Sequence, residues 1–199
     1  MTTLTYYTAT SLDGFIADPQ DSLDWLLRQP QEGPEDGEAE DDAAARFGYE
    51  RFIAGIGAIV MGSTTYEWIL RHHDDVAAEM GTGWPYAMPA WVMTTRDLEV
   101  TDGRDVRLAS GDVREVYDAM VAAAGGKNLW LVGGGDLAGQ FADAGLLDEV
   151  IATVAPVTLG SGRPLLNRRL ELELLETAGA GPFVCARYRV DGPLLEDRT

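Results

Sequence analysis

Twice in this chain an apolar run stops at glycine and restarts as a helix. That punctuation restricts the fold more than any other feature. In "LWLVGGGDLAGQF" the apolar residues 129–132 end in Gly133, Gly134 and Gly135, and a helical segment spans residues 136–144 before Gly145. In "AIVMGSTTYEW" residues 58–61 end at Gly62, and Thr64 and Glu67 have capping-box spacing, which predicts a helix N-terminus there. Short apolar runs without alternation suit strands buried on both faces, and strands alternating with helices imply a parallel sheet covered on both sides.

The other segments agree. Residues 3–10 read as a first strand, followed by an Asp13-Gly14 turn. Residues 90–95 read as another strand and 106–109 as a short one. Residues 112–124 form the clearest helix, with Val113, Val116, Tyr117, Met120 and Val121 on one face, a cap at Asp112, and Gly125-Gly126 as its stop. Asp42 is placed to cap a helix to Ala54. Residues 149–160 predict a strand ending in a glycine-rich turn at 160–164. Residues 170–176 and 183–190 predict two more strands, joined by a hairpin connection at 178–182. The expected fold is α/β: one domain over residues 1–199, with about eight strands and an antiparallel C-terminal hairpin. Residues 28–42 hold "EGPEDGEAEDD", with seven carboxylates in eleven residues, and read as a mobile acidic loop.

The formal net charge is −18. Such a chain repels nucleic acid and anionic lipid, so neither is an expected partner. A phosphate site would have to be built locally, from backbone donors. Cys185 is the one cysteine, which excludes an internal disulfide. Residues 72–75, "HHDD", place two histidines on different helix faces with no third ligand spaced to join them, so no metal is expected. No apolar run approaches the ~20 residues of a membrane span, and the N-terminus lacks a signal-peptide pattern, so a cytoplasmic location is expected.

Gly133, Gly135 and Ala138 fit G-x-G-x-x-A, but no acidic residue ends the next strand, so a Rossmann reading is weak. The repetition of the pattern is more informative. If the two glycine-ended strands are parallel neighbours, both helix N-termini open on one edge, where ligands of open α/β sheets bind. Thr64 and Thr65 add hydroxyls there. "MTTR" supplies a third strand end with Thr94, Thr95 and Arg96. Each loop alone is equally compatible with a capped turn.

"TATSLDGFIA", "VMGSTTYE", "LWLVGGGDLAGQF" and "VAPVTLGSGRPLL" occur in the order and spacing of the dihydrofolate-reductase-like family. The chain most resembles the branch related to the C-terminal reductase domain of bacterial riboflavin biosynthesis, over residues 3–190. The resemblance implies a mostly parallel eight-stranded sheet, NADPH as hydride donor and a homodimer. It places Ala9, Ile16 and Ala17 beside the nicotinamide, and Gly62, Ser63, Thr64 and Thr65 against the pyrophosphate. Thr94, Thr95 and Arg96 fall near the adenosine ribose and its 2′-phosphate. Gly133, Gly134, Gly135, Asp136 and Leu137 close over the pyrophosphate from the other side, and Trp25 stands beside the substrate. The chain departs from dihydrofolate reductases at Arg46, where they carry a carboxylate; Glu50 is the nearest acid on that helix. It also departs at Ser63 and Asp136, neither of which is basic. No deaminase zinc motif is present.

The activity so implied is reduction of a small conjugated heterocycle that is pterin-, flavin-precursor- or aminouracil-like. It would stack near Trp25 and Tyr66, with Arg163 available to an acidic group. The proton would come through water, or from Asp13 or Glu50 as candidate acids. The alternative is a catalytically silent nucleotide-binding sensor or regulatory protein of the same fold.

Overall fold

The computed structural model describes residues 2–30, 46–72, 84–100 and 103–194. The strands in chain order are β1 (Leu4–Ser11), β2 (Phe15–Ala17), β3 (Ile56–Gly62), β4 (Ala90–Met93), β5 (Val106–Ala109), β6 (Asn128–Gly133), β7 (Glu149–Ala155), β8 (Arg163–Pro164), β9 (Leu170–Ala180) and β10 (Phe183–Pro193). The helices are α1 (Asp24–Leu27), α2 (Tyr49–Ala54), α3 (Ser63–Arg71), α4 (Val113–Ala123) and α5 (Gly135–Asp143).

Eight strands form the central sheet in the order β5-β4-β3-β6-β1-β7-β10-β9. Every pairing from β5 to β7 is parallel, and β10 and β9 add an antiparallel edge. The glycine-ended strands β3 and β6 are direct neighbours, with Val60 opposite Leu131 and Met61 opposite Gly133. The carboxyl ends of β3, β4 and β6 therefore share one edge.

The apolar runs are buried on both faces. Ala58, Val60, Leu129 and Leu131 belong to one core cluster, completed by Val116 and Met120 of α4 and Phe141 of α5. Ile59, Met61 and Trp130, the alternating residues of the same strands, join Tyr66 and Ile69 of α3 in a second cluster with Trp84 and Tyr86. The sheet has no solvent face along its centre, which is why these strands lack polar alternation.

Several local expectations change. The expected capping box at Thr64 and Glu67 does not form: α3 starts from Gly62, with no side-chain cap. The Glu67 carboxylate reaches Arg96 instead. Asp112 does cap α4, accepting from the Arg114 N–H at 2.9 Å. The helix expected up to Ala54 starts at Gly48, whose extended backbone breaks it from anything earlier. Asp42, residues 31–42 of the acidic loop and His73, Asp74 and Asp75 lie outside the described residues. The C-terminal strands are longer than expected and pair through residues 178–180, so the connection shrinks to Gly181-Pro182. Small residues there suffice because ladder hydrogen bonds need only backbone.

The glycine-rich turn at 160–164 contains a strand. β8 pairs with β2, placing Ala17 opposite Arg163 and Phe15 opposite Pro164. This ribbon stands beside the carboxyl edge of the large sheet and forms one wall of the site.

Candidate functional site

A cleft of about 730 Å³ opens between the N-termini of α3 and α5 and the β2–β8 ribbon. The structure brings together there Ile16, Ala17, Gly62, Ser63, Thr64, Thr65, Gly133, Gly134, Gly135, Asp136, Leu137 and Arg163. All were singled out in the sequence, on four segments far apart in the chain.

The three glycines of the triplet do different work. Gly133 has φ +149°, a conformation that side-chain-bearing residues rarely adopt. Gly135 has no room for a side chain, since a β-carbon there would meet the Pro164 carbonyl oxygen at 2.2 Å and that of Leu165 at 2.4 Å. Gly134 follows a cis peptide bond but has neither a positive φ nor a close neighbour: its φ is −89°, and an added β-carbon would approach Ile16 Cδ1 no closer than 3.7 Å. Gly62 is similar, with φ −79° and nothing nearer than the Gly133 oxygen at 3.8 Å. At Gly62 and Gly134 a β-carbon would simply occupy the cleft.

Both helices that end on this floor lack a side-chain cap. Their first N–H groups have no intrahelical acceptor, and each helix end carries partial positive charge. Two uncapped N-termini flanking a glycine floor suit a diphosphate. The residues present thus fit the pyrophosphate of a dinucleotide.

The charged groups of the cleft are already paired. Asp21 accepts from Arg163 Nε at 2.5 Å and Nη2 at 3.1 Å, and this guanidinium holds its carboxyl below the usual range. Asp136 accepts from Asn167 Nδ2 at 2.9 Å and Gln140 Nε2 at 3.0 Å. Those bonds, aided by Arg168, lower its pKa as well. Neither carboxylate is an acid at neutral pH.

Several candidates are placed elsewhere. Asp13 is a loop anchor: its carboxylate accepts from the Ser11 hydroxyl at 2.6 Å, the Leu159 N–H at 3.0 Å and the Gly160 N–H at 2.7 Å. These bonds lower its pKa to about 2, so it is no proton donor. Glu50 is exposed on α2, away from the cleft lining. Arg46 pairs with Glu176 of β9 at 2.8 Å. Tyr66 cannot stack on a substrate, because it is fully buried and its hydroxyl donates to the Glu99 carbonyl at 2.9 Å. Ala9 yields its place to Thr8, since strand alternation turns adjacent side chains to opposite faces. Leu23, not Trp25, reaches the cleft from the start of α1. Thr94, Thr95 and Arg96 line a separate hollow of about 270 Å³ beyond β4 and β5.

Sequence reasoning missed Thr8, Trp68, Tyr86, Met93, Gln140 and Asn167, which also line the cleft. Trp68 carried a signal: it lies one helical turn beyond Thr64 and Thr65, on the face that starts at the cleft. Tyr86 carried none. Its ring packs edge-on to Trp84 and Trp130, and burial raises its pKa so that the hydroxyl keeps its proton.

A mostly parallel eight-stranded sheet, with a phosphate-type cleft at its carboxyl edge and an antiparallel ribbon as wall, defines a reductase-domain fold of the dihydrofolate-reductase kind. The chain belongs to the RibD C-terminal domain family, which it matches over residues 2–183. It is 31% identical to the uncharacterized protein YwjB of Bacillus subtilis (strain 168), over 92% of this chain and 94% of that one. A putative riboflavin biosynthesis protein from Shewanella sp. PV-4 superposes with a TM-score of 0.71 at 26% identity, covering 96% of this chain and 99% of its own. A pyrimidine reductase-like protein from Corynebacterium diphtheriae shares the fold, with a TM-score of 0.58 at 15% identity over 95% and 92% of the two chains. Family membership supports a reductase-like role. Among the described residues no helix is long and apolar enough to cross a membrane.

Proposed function

We propose that this chain is a reductase that takes NADPH as hydride donor and reduces a small conjugated heterocycle of pterin, flavin-precursor or aminouracil type. The observation that carries the reading is the pair of uncapped helix N-termini across Gly62 and Gly134, two glycines with negative φ beside which the protein leaves room for a β-carbon. The first N–H groups of α3 and α5, with the hydroxyls of Thr64 and Thr65, would hold the pyrophosphate. Ile16 and Ala17 of β2 would border the nicotinamide, and Thr8, Val132 and Tyr86 line the deeper part of the cleft. Bound there, the dinucleotide supplies the hydride. The chain's own task is to hold donor and acceptor carbons at ~3–3.5 Å and to exclude water from between them. Asp21 and Asp136 stay ionised, so the proton comes from water that enters the open cleft.

That absence of a cleft acid among the described residues also favours a second reading, a nucleotide-binding sensor without turnover. Titration with NADPH and NADH, followed by quenching of tryptophan fluorescence, tests the site. Thr64→Ala and Gly134→Val should weaken binding, and unchanged affinity in both would mean the site is misplaced. A panel of pterins, flavins and aminouracils separates the two readings: oxidation of NADPH with any of them supports the reductase, and a tight complex with no turnover on all supports the sensor.

We also propose a homodimer. Leu172, Leu174 and Val184 of the β9–β10 edge are 40%, 54% and 56% exposed, an apolar strip that a second copy would cover. Sedimentation of the purified chain at monomer mass would end that proposal.

A further inference from the structure

The second hollow, lined by residues 94–97 and 108–110, begins one residue beyond Met93, which lines the main cleft. It opens beside the cleft, past the ends of β4 and β5. Arg96 is the cation of its lining, and Asp97 lines it too. Both arms of the Arg96 guanidinium are taken. Nη1 donates to Glu67 Oε1 at 3.0 Å and Nη2 to Glu67 Oε2 at 2.7 Å. Glu67 sits two residues after Thr65 on α3, so the helix that presents its N-terminus to the cleft also carries the carboxylate that holds this arginine.

We propose that Glu67 sets the dinucleotide preference of this chain by withholding Arg96 from a 2′-phosphate, so that NADH is accepted about as well as NADPH. The inference rests on the dinucleotide reading above and deepens it. A bidentate Arg–carboxylate pair has the fork geometry that a phosphate would use. A 2′-phosphate arriving at Arg96 finds the Nη1/Nη2 fork occupied and must displace Glu67 or bind alongside it, with Glu67 and Asp97 as like charges in either case. An unphosphorylated ribose meets no such conflict, and its 2′-hydroxyl can donate to a carboxylate, as acidic residues do in NAD sites. Arg71 is the other cation beside Glu67, but its Nε donates to the Glu67 backbone carbonyl at 3.2 Å, and it is not part of the hollow's lining. Arg163, the cation in the lining of the main cleft, is held by Asp21, and Ser63 stands directly after Gly62. The Arg96 and Glu67 side chains are 54% and 35% exposed, so the pair is reachable by a ligand and contributes little to folding.

The test measures Kd for NADPH and for NADH by fluorescence quenching in the wild type, Glu67→Gln, Glu67→Ala and Arg96→Ala. Competition by 2′,5′-ADP and 5′-AMP isolates the adenosine end, and melting temperatures confirm folding. The ratio Kd(NADPH)/Kd(NADH) should lie within about threefold of one in the wild type. It should fall roughly three- to tenfold in both Glu67 variants. 2′,5′-ADP should gain against 5′-AMP by a similar factor, and combining Arg96→Ala with Glu67→Gln should abolish the gain. Binding of both dinucleotides with an unchanged ratio in the folded Glu67 variants overturns the proposal, as does a wild type that prefers NADPH a hundredfold. If the wild type binds neither dinucleotide and neither fragment, the reading under Proposed function falls first and this one with it.

Discussion

Gly135 lies against the backbone of Pro164, so close that a β-carbon on it would stand 2.2 Å from the Pro164 carbonyl oxygen. This contact seats the β2–β8 ribbon on the first turn of α5, and so builds a wall of the cleft from two loops distant in sequence. Gly134, one residue earlier, touches nothing comparable.

The two neighbours should therefore respond oppositely to the same added methyl. Gly135→Ala forces backbone apart and should cost about 1–3 kcal/mol, read as a lower Tm. Gly134→Ala leaves packing intact, with a Tm change of under about 0.5 kcal/mol equivalent, but places its methyl in the cleft. Its effect should appear in dinucleotide Kd. Equal losses of stability in both variants would show that the triplet acts as one structural unit.

Asp13 should matter for stability and not for proton transfer. Its folded-state pKa is lowered from 3.8 to about 2 by the Ser11 hydroxyl and the Leu159 and Gly160 N–H groups. A depressed carboxylate contributes stability above its unfolded pKa, and that contribution is lost as pH falls through the folded value. Asp13→Asn should thus melt lower than the wild type at pH 7, with the gap closing between about pH 4 and pH 2. The pH profile of any reductase turnover should keep its shape in the variant. A vanished limb of that profile would restore Asp13 as an acid.

Ligand quenching should report from one tryptophan. Trp68 lines the cleft, whereas Trp84, Trp91 and Trp130 are buried in the core and Trp25 lies on α1 outside the lining. Trp68→Phe should remove most of the quench produced by a saturating dinucleotide, while calorimetry still detects binding. Retention of the full signal would place the ligand elsewhere.

Cys185 should be unreactive while the protein is folded. It is buried on β10, its thiol 3.7 Å from the Thr153 hydroxyl, and burial pushes its pKa up. A thiol reagent at pH 8 should label it only on unfolding, with a rate that tracks denaturant. Rapid labelling of the native protein would mean that the β7–β10 edge opens.

Much of the architecture was legible in the residues. The apolar runs at β3, β4 and β6, the glycines after them and the period of α4 are local signals, and local signals report backbone conformation and burial. That β3 and β6 are parallel neighbours was only a condition of the sequence reading, and the sheet supplied it. β8 was not legible, because a two-residue strand has no periodicity and its partner, β2, lies at the other end of the chain. Tyr66 misled for a related reason: an aromatic at a helix start near a glycine loop reads as a stacking platform, but only the sheet beneath shows that its ring points into the core.

The sequence by itself determined where chain segments bend, which faces are apolar and where two helices begin after glycine. It did so because each of these depends on residues a few positions apart. Tertiary structure alone decided which charges are spent. Asp13 on Gly160, Asp21 on Arg163 and Glu67 on Arg96 are pairings between distant segments, and Coulomb attraction and hydrogen bonding act over a few ångströms of space irrespective of distance along the chain.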